Sequence, residues 1–177
     1  MSKEKTVFNT DWFKIKEVPS EPHWGIGEQP FYRIDSNDGV VALLINEAGK
    51  IVLVRQFRPA RGDRTMEFPA GFMEDGEDPE QAIRRELQEE TGYEPGELVD
   101  LGFHGLSVDR HSYSIISFAA LNSKKVTEPA ESEFIELMEC NAQDYMAMAA
   151  SGEPVLLSDI GVLTLAQHKL GDRLGLN

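Results

Sequence analysis

An unbroken apolar run, Val40-Val41-Ala42-Leu43-Leu44-Ile45, predicts a buried strand. Asn46-Glu47-Ala48-Gly49 reads as a hairpin turn, and Ile51-Val52-Leu53-Val54-Arg55-Gln56-Phe57 as the returning strand. Upstream, Trp12, Phe13, Trp24, Phe31 and Tyr32 are interrupted by Pro19, Pro22, Pro30 and the Gly25/Gly27 pair, which predicts a strand, a turn-rich connection and a second strand. Arg61-Gly62-Asp63-Arg64 reads as a loop leading through Thr65-Met66-Glu67-Phe68 to Pro69-Ala70-Gly71. The first clear helix runs from Pro79 to Thr91: Asp78 suits the N-cap, Pro79 the first helical position and Gly92 the stop. Residues 99–106 and 112–121 have strand character, Phe134 to Met138 forms another strand, and 141–150 a helix. Ser158 is the expected cap of a last helix that ends at Gly171. Strands, helix, strands, helices: this order predicts an α/β protein with a mixed sheet flanked by helices, rather than a βαβ repeat.

Charge narrows the classes. The 177 residues carry a formal net charge of −14, which repels both a nucleic-acid backbone and an anionic membrane surface. No apolar run is long enough to span a bilayer, and the first residues lack the apolar stretch of a secretory signal. The single cysteine, Cys140, excludes an internal disulfide framework and a multi-thiolate metal site, so a reducing cytoplasm is expected. Most of the 31 acidic residues read as a solvated surface. The Arg-Gly-Asp tripeptide at 61–63 is too short a motif to signify adhesion in such a protein.

The acids that matter are packed together on the 79–91 helix. Glu86 and Glu90 are four apart and share a face, with Glu89 beside them. Three carboxylates there repel one another, close to a helix C-terminus that already disfavours negative charge. Arg85, four before Glu89, offsets part of this. The patch is either a solvated acidic face or a site for a hard cation, since carboxylate oxygens are the ligands Mg²⁺ prefers.

Its surroundings favour the cation. From Gly71 the spacing is five residues to Glu77, seven more to Arg85-Glu86-Leu87, then Glu89-Glu90 and Gly92. At roughly 6% usage per residue type, chance agreement at seven of these identities is about 10⁻⁸ or less per starting point. This pattern resembles the Nudix box. The resemblance implies the Nudix fold, an α/β/α sandwich with a mixed sheet, here as a domain over 39–177 behind an N-terminal strand extension over 1–38. It implies Mg²⁺-dependent hydrolysis of a nucleoside diphosphate linked to another group, with Mn²⁺ able to substitute. It casts Glu86, Glu90 and the Ala70 carbonyl as metal ligands, Glu89 beside them in catalysis, and Glu77 and Arg85 as the pair that braces the box.

Flanking segments resemble the ADP-ribose and nucleotide-sugar pyrophosphatase branch: Val54 to Arg58, then Glu67-Phe68-Pro69-Ala70-Gly71. That likeness implies phosphate contacts by Arg58, with Arg55 and Glu67 also toward substrate; arginine grips a diphosphate bidentately. Glu131-Ser132-Glu133 resembles the mobile loop of these enzymes, which implies Glu131 as general base and Glu133 as a further ligand, with other loop glutamates as alternatives for the base. The branch also implies a homodimer whose N-terminal strands help hold the base, with Phe31, Tyr32 or Trp24 stacking on it or, alternatively, packing in the core. Ser107 to His111 lacks the proline that many ADP-ribose pyrophosphatases carry there, so sugar and base stay open. Two alternatives stand beside the nucleotide-sugar reading: a house-cleaning hydrolase of nucleoside triphosphates or dinucleoside polyphosphates, and a catalytically silent ligand sensor.

Overall fold

The computed structural model describes residues 4–130 and 134–174, so Glu131 and Glu133 lie outside the described residues. Two sheets share the strands. β1 (Lys5–Asn9), β2 (Lys14–Val18) and β3 (Phe31–Asp35) form a small antiparallel sheet in that order. The large sheet holds β4 (Gly39–Asn46), β5 (Ile51–Arg58), β6 (Asp63–Glu67), β7 (Ala70–Phe72), β8 (Tyr93–Glu94), β9 (Glu97–Gly105), β10 (Ser114–Lys125) and β11 (Ile135–Cys140). Its order is β11-β5-β4-β10-β8, with β6 added to β5, β7 to β4 and β9 to β10. β4 and β10 run parallel and every other pair antiparallel, so the sheet is mixed. The small sheet meets the large one at Ile34, whose N–H donates to Arg110 O (2.8 Å) and whose carbonyl accepts from Ser112 N (3.0 Å).

β4 explains the layering. All eight of its residues are buried because alternate side chains enter different cores. Val40, Ala42 and Leu44 pack with Ala82 and Ile83 of α1 (Pro79–Glu86) and with Leu87. Val41, Leu43 and Ile45 pack on the other face with Tyr145 of α2 (Ala142–Ser151) and with Val162, Leu163 and Ala166 of α3 (Leu157–Leu170). The result is an α/β/α sandwich with a central mixed sheet. Among the described residues no helix is long and apolar enough to cross a membrane.

Two local expectations need correction, and one strand is unexpected. Asp63 and Arg64 are not loop but the start of β6, because β5 runs on to Arg58 and its edge pairs them, Phe57 with Arg64 and Arg58 with Asp63. Lys5–Asn9 adds a strand that its exposed, mostly polar side chains do not advertise. Ser158 does not cap the last helix: Leu156 holds the cap position with no side-chain bond, and the Ser158 hydroxyl donates to Asp159 (3.2 Å).

Candidate active site

The site grows from a gap in the large sheet. β4 and β5 pair only near their shared hairpin, at Leu44–Val52 and Ile45–Ile51. Beyond that they part, and β6 continues along β5 while β7 continues along β4. Phe68-Pro69 bridges the gap as a corner. Pro69 has no N–H to offer, and its carbonyl accepts from Ala42 N (3.0 Å). The N–H groups on either side go to side chains: Phe68 N donates to Asp159 Oδ2 (2.8 Å), and Ala70 N to Glu90 Oε2 (3.0 Å). Buried backbone donors need partners, and here two carboxylates supply them.

The acidic helix approaches this corner from one side. Asp78 accepts from the N–H groups of Glu80 (3.0 Å) and Gln81 (3.1 Å), and Pro79 follows it, as the sequence predicts. The helix is α only to Glu86; Leu87–Thr91 is a π-turn. The Thr91 hydroxyl donates back to the Leu87 carbonyl, a contact that competes with the regular ladder and widens it. Glu90 is thereby inside, 6% exposed, while the Glu89 side chain stays 45% exposed. Gly92 closes the helix at φ 74°, and a Cβ there would overlap the Thr127 carbonyl. At Gly71 a Cβ would overlap the Glu86 carboxylate that lies against its backbone, so any larger residue there would push that side chain aside.

Arg85 sits at the centre of the charge. It grips Glu77 through Nε and Nη2, both at 3.0 Å, and reaches Glu86 (2.6 Å) and Glu89 (3.3 Å) through Nη1. Its Nη2 also donates to Phe72 O (3.1 Å). The Arg85 bond, helped by the Glu74 N–H, holds the Glu77 carboxyl below the usual range, and Glu77 in turn raises Arg85. One guanidinium therefore faces three carboxylates, with Glu90 close behind. That surplus of hard oxygen donors, pressed against a glycine backbone, fits a divalent cation of the Mg²⁺ type. Among the described residues no three ligating side chains close into a ready cage; Glu86 leans on Arg85.

The other expected residues divide. Arg58 is presented by Glu67, which is 2% exposed: Nε and Nη2 of Arg58 meet its two oxygens at 2.8 and 2.5 Å, and the Thr65 hydroxyl also donates to it. Glu67 thus faces Arg58 rather than open space, and raises the Arg58 pKa. Arg58 keeps three of its five N–H groups uncommitted among the described residues. Arg55 pairs with Glu136 (3.3 Å) at the surface. Phe31 is not brought to the box within this chain. It lies 4.4 Å from the Arg110 guanidinium, in a cavity of about 410 Å³ whose lining includes Trp24, Ile26 and Val108 but nothing from 71–92. Ser107 donates to Asp109 (2.9 Å), and His111 Nδ1 finds no partner among the described residues, so these three form no relay. The segment entering 131–133 is tied to the box: Gly92 O accepts from Val126 (2.8 Å) and Thr127 (3.2 Å), and Glu89 O from Ala130 (2.9 Å).

Sequence reasoning missed two things. Trp12 and Phe13 line a cavity of about 630 Å³ together with Phe72 to Asp75, so the first strands reach the start of the box. Asp159, 2% exposed, has its pKa pushed up to about 7 by burial, against the opposing Phe68 and Ser158 bonds. An Asp after a Ser at a helix start reads as solvated capping, and nothing local signals a partner 91 residues away.

Comparison with known proteins bears on this arrangement. Residues 35–158 match the NUDIX domain. The chain is 38% identical over 103 residues to an ADP-sugar pyrophosphatase of Mus musculus, covering 54% of this chain and 47% of that protein. It thus spans about half the length of the mouse relative. It is 36% identical over 161 residues to an ADP-ribose pyrophosphatase of Bacillus subtilis (strain 168), covering 85% of each. A solved structure described as an ADP compounds hydrolase superposes with a TM-score of 0.82 over 97% of this chain and 93% of that one, at 20% identity, a likeness of fold.

Proposed function

The chain belongs to the Nudix family, and from that premise we propose that it hydrolyses the pyrophosphate bond of ADP-ribose or a related nucleoside diphosphate sugar, giving a nucleoside monophosphate and a sugar phosphate. One observation carries the reading: a surplus of carboxylates around Arg85, locked to the Pro69–Gly71 corner by the Glu90–Ala70 bond and the Glu86–Gly71 contact. Glu86, Glu90 and the Ala70 carbonyl, with Glu133, would hold Mg²⁺ or Mn²⁺. When bound, the metal neutralises pyrophosphate charge and acidifies the attacking water. Arg85 braces the box by holding Glu77 and keeps Glu89 beside the ligands. Arg58, oriented by Glu67, offers its uncommitted N–H groups to phosphate oxygens. Arg55, three residues earlier on β5, adds positive charge toward the substrate. Glu131, or another glutamate of the same loop, takes the proton from the attacking water.

We also propose that residues 1–38 act as a dimer-forming extension, with Phe31 stacking on the base. Phe8, Trp12 and Tyr32 leave large apolar surface exposed on this part of the chain, a pattern that favours a second copy of the chain as cover. The single cysteine favours a cytoplasmic setting.

The test is hydrolysis of a panel of nucleoside diphosphate sugars with Mg²⁺, with products identified by mass spectrometry. ADP-ribose should give AMP and ribose 5-phosphate. Faster cleavage of nucleoside triphosphates or dinucleoside polyphosphates than of every nucleotide sugar would overturn the substrate class.

A further inference from the structure

The Phe68–Ala70 corner is held from both helical layers. On one side Glu90 takes the Ala70 N–H, at 3.0 Å. On the other, Asp159 at the start of α3 takes the Phe68 N–H, at 2.8 Å. Tyr145 of α2 stacks on the Phe68 ring at 5.3 Å between centroids, and it is wholly buried, as is Phe68 apart from 1% of its surface. Further along the chain, Met66 N donates to Pro154 O (3.0 Å), so the strand entering the corner is also pinned to the segment that leads into α3. The corner has no strand partner of its own at these two amides, because β4 and β5 have parted there. Loss of either carboxylate would leave a buried N–H unpaired and the corner free to shift.

We propose that Asp159 is a positioning residue for the metal site: its bond to Phe68 fixes the Pro69–Ala70 corner, and so keeps the Ala70 carbonyl and Glu90 aligned, although Asp159 itself touches neither metal nor substrate. The proposal rests on the Nudix hydrolase reading above. It assigns a role in the site to the C-terminal helix, which contributes no residue to the box. Supports of this kind shift metal affinity or activity by roughly 10- to 100-fold when removed.

The experiment compares Asp159→Asn, which keeps an acceptor oxygen for the amide, with Asp159→Leu, which keeps the branched heavy-atom outline and removes the acceptor. Mn²⁺ affinity is read by electron paramagnetic resonance without substrate, and kcat and KM are measured with ADP-ribose and Mg²⁺. Circular dichroism confirms folding. The asparagine variant should bind Mn²⁺ within about threefold of wild type. The leucine variant should lose roughly tenfold or more in Mn²⁺ affinity and in kcat, with KM for ADP-ribose little changed. If the leucine variant fails to fold, Asp159→Ser, too short to reach the amide, replaces it with the same expectation. A folded leucine or serine variant with wild-type Mn²⁺ affinity overturns the proposal. So does an asparagine variant as impaired as the leucine one, since charge and not the acceptor would then matter. Wild-type protein that neither binds Mn²⁺ nor cleaves any nucleotide sugar overturns the functional reading, and the proposal with it.

Discussion

Two carboxylate groups flank the same corner on different terms. In front, Glu77, Glu86 and Glu89 share one guanidinium, and the group as a whole is under-compensated. Behind, Glu67 has Arg58 and Thr65, while Asp159 has the Phe68 amide and the Ser158 hydroxyl. The front cluster sets three carboxylates around one guanidinium, an arrangement that a divalent cation can complete. At the back, Glu67 is matched by Arg58 and Thr65, and burial pushes the Asp159 carboxyl toward its neutral form. Proximity to a site therefore does not make a carboxylate a ligand. What separates the two groups is how many carboxylates share one guanidinium: three around Arg85, one against Arg58.

That contrast can be broken by neutralising one carboxylate on each side. Glu90→Gln should lower turnover by orders of magnitude and leave thermal stability near that of wild type, because the amide oxygen can still accept from Ala70; wild-type turnover on the best substrate would remove Glu90 from the metal assignment. Asp159→Asn should do the reverse. Folded Asp159 keeps its proton up to about pH 7, while in the unfolded chain it releases it near the ordinary value of 3.8. Between these the folded state binds more protons, so this group's contribution is complete below pH 4 and is lost as pH rises toward 7 and beyond. Denaturant melts across pH 4–8 should show wild type losing stability relative to Asp159→Asn, by at most about 4 kcal/mol. Parallel pH profiles for the two proteins would mean that Asp159 ionises normally.

Arg85→Ala tests the front cluster from the cationic side. It should weaken metal activation by roughly 10- to 100-fold, read as the Mg²⁺ concentration for half-maximal rate, with the α1 helix retained in circular dichroism. An unchanged Mg²⁺ requirement would mean that Arg85 does not organise the ligands. Arg55→Ala lies outside both groups. Its pair with Glu136 is solvent-exposed at both ends, so stability should change by less than about 0.5 kcal/mol in thermal melts, and a larger loss would point to a buried role.

The legible part of the molecule is the part written locally. The Asp78–Pro79 start, the Gly92 stop and the apolar run of β4 all follow from neighbours in sequence, and the box follows from fixed spacing. What could not be read comes from distant partners. Asp63 and Arg64 become strand only because the β5 edge is there to pair them. The π-turn depends on where the Thr91 hydroxyl points, and the burial of Asp159 depends on a corner formed far upstream. Trp12 and Phe13 carry no mark that they face residues 72–75, since only the sheet-to-sheet arrangement brings them there.

The ties between the helix end and residues 126–130 have an evolutionary consequence. Gly92 is wedged beneath Thr127, and the Glu89 carbonyl holds Ala130. An insertion or deletion just before Glu131 would pull on the helix end, and a bulkier residue at 92 would push Thr127 and Glu128 aside. A change in either stretch should therefore demand a compensating change in the other. Transplanting the acidic helix into another scaffold without its 126–130 counterpart should yield a motif that scores well by pattern and does nothing.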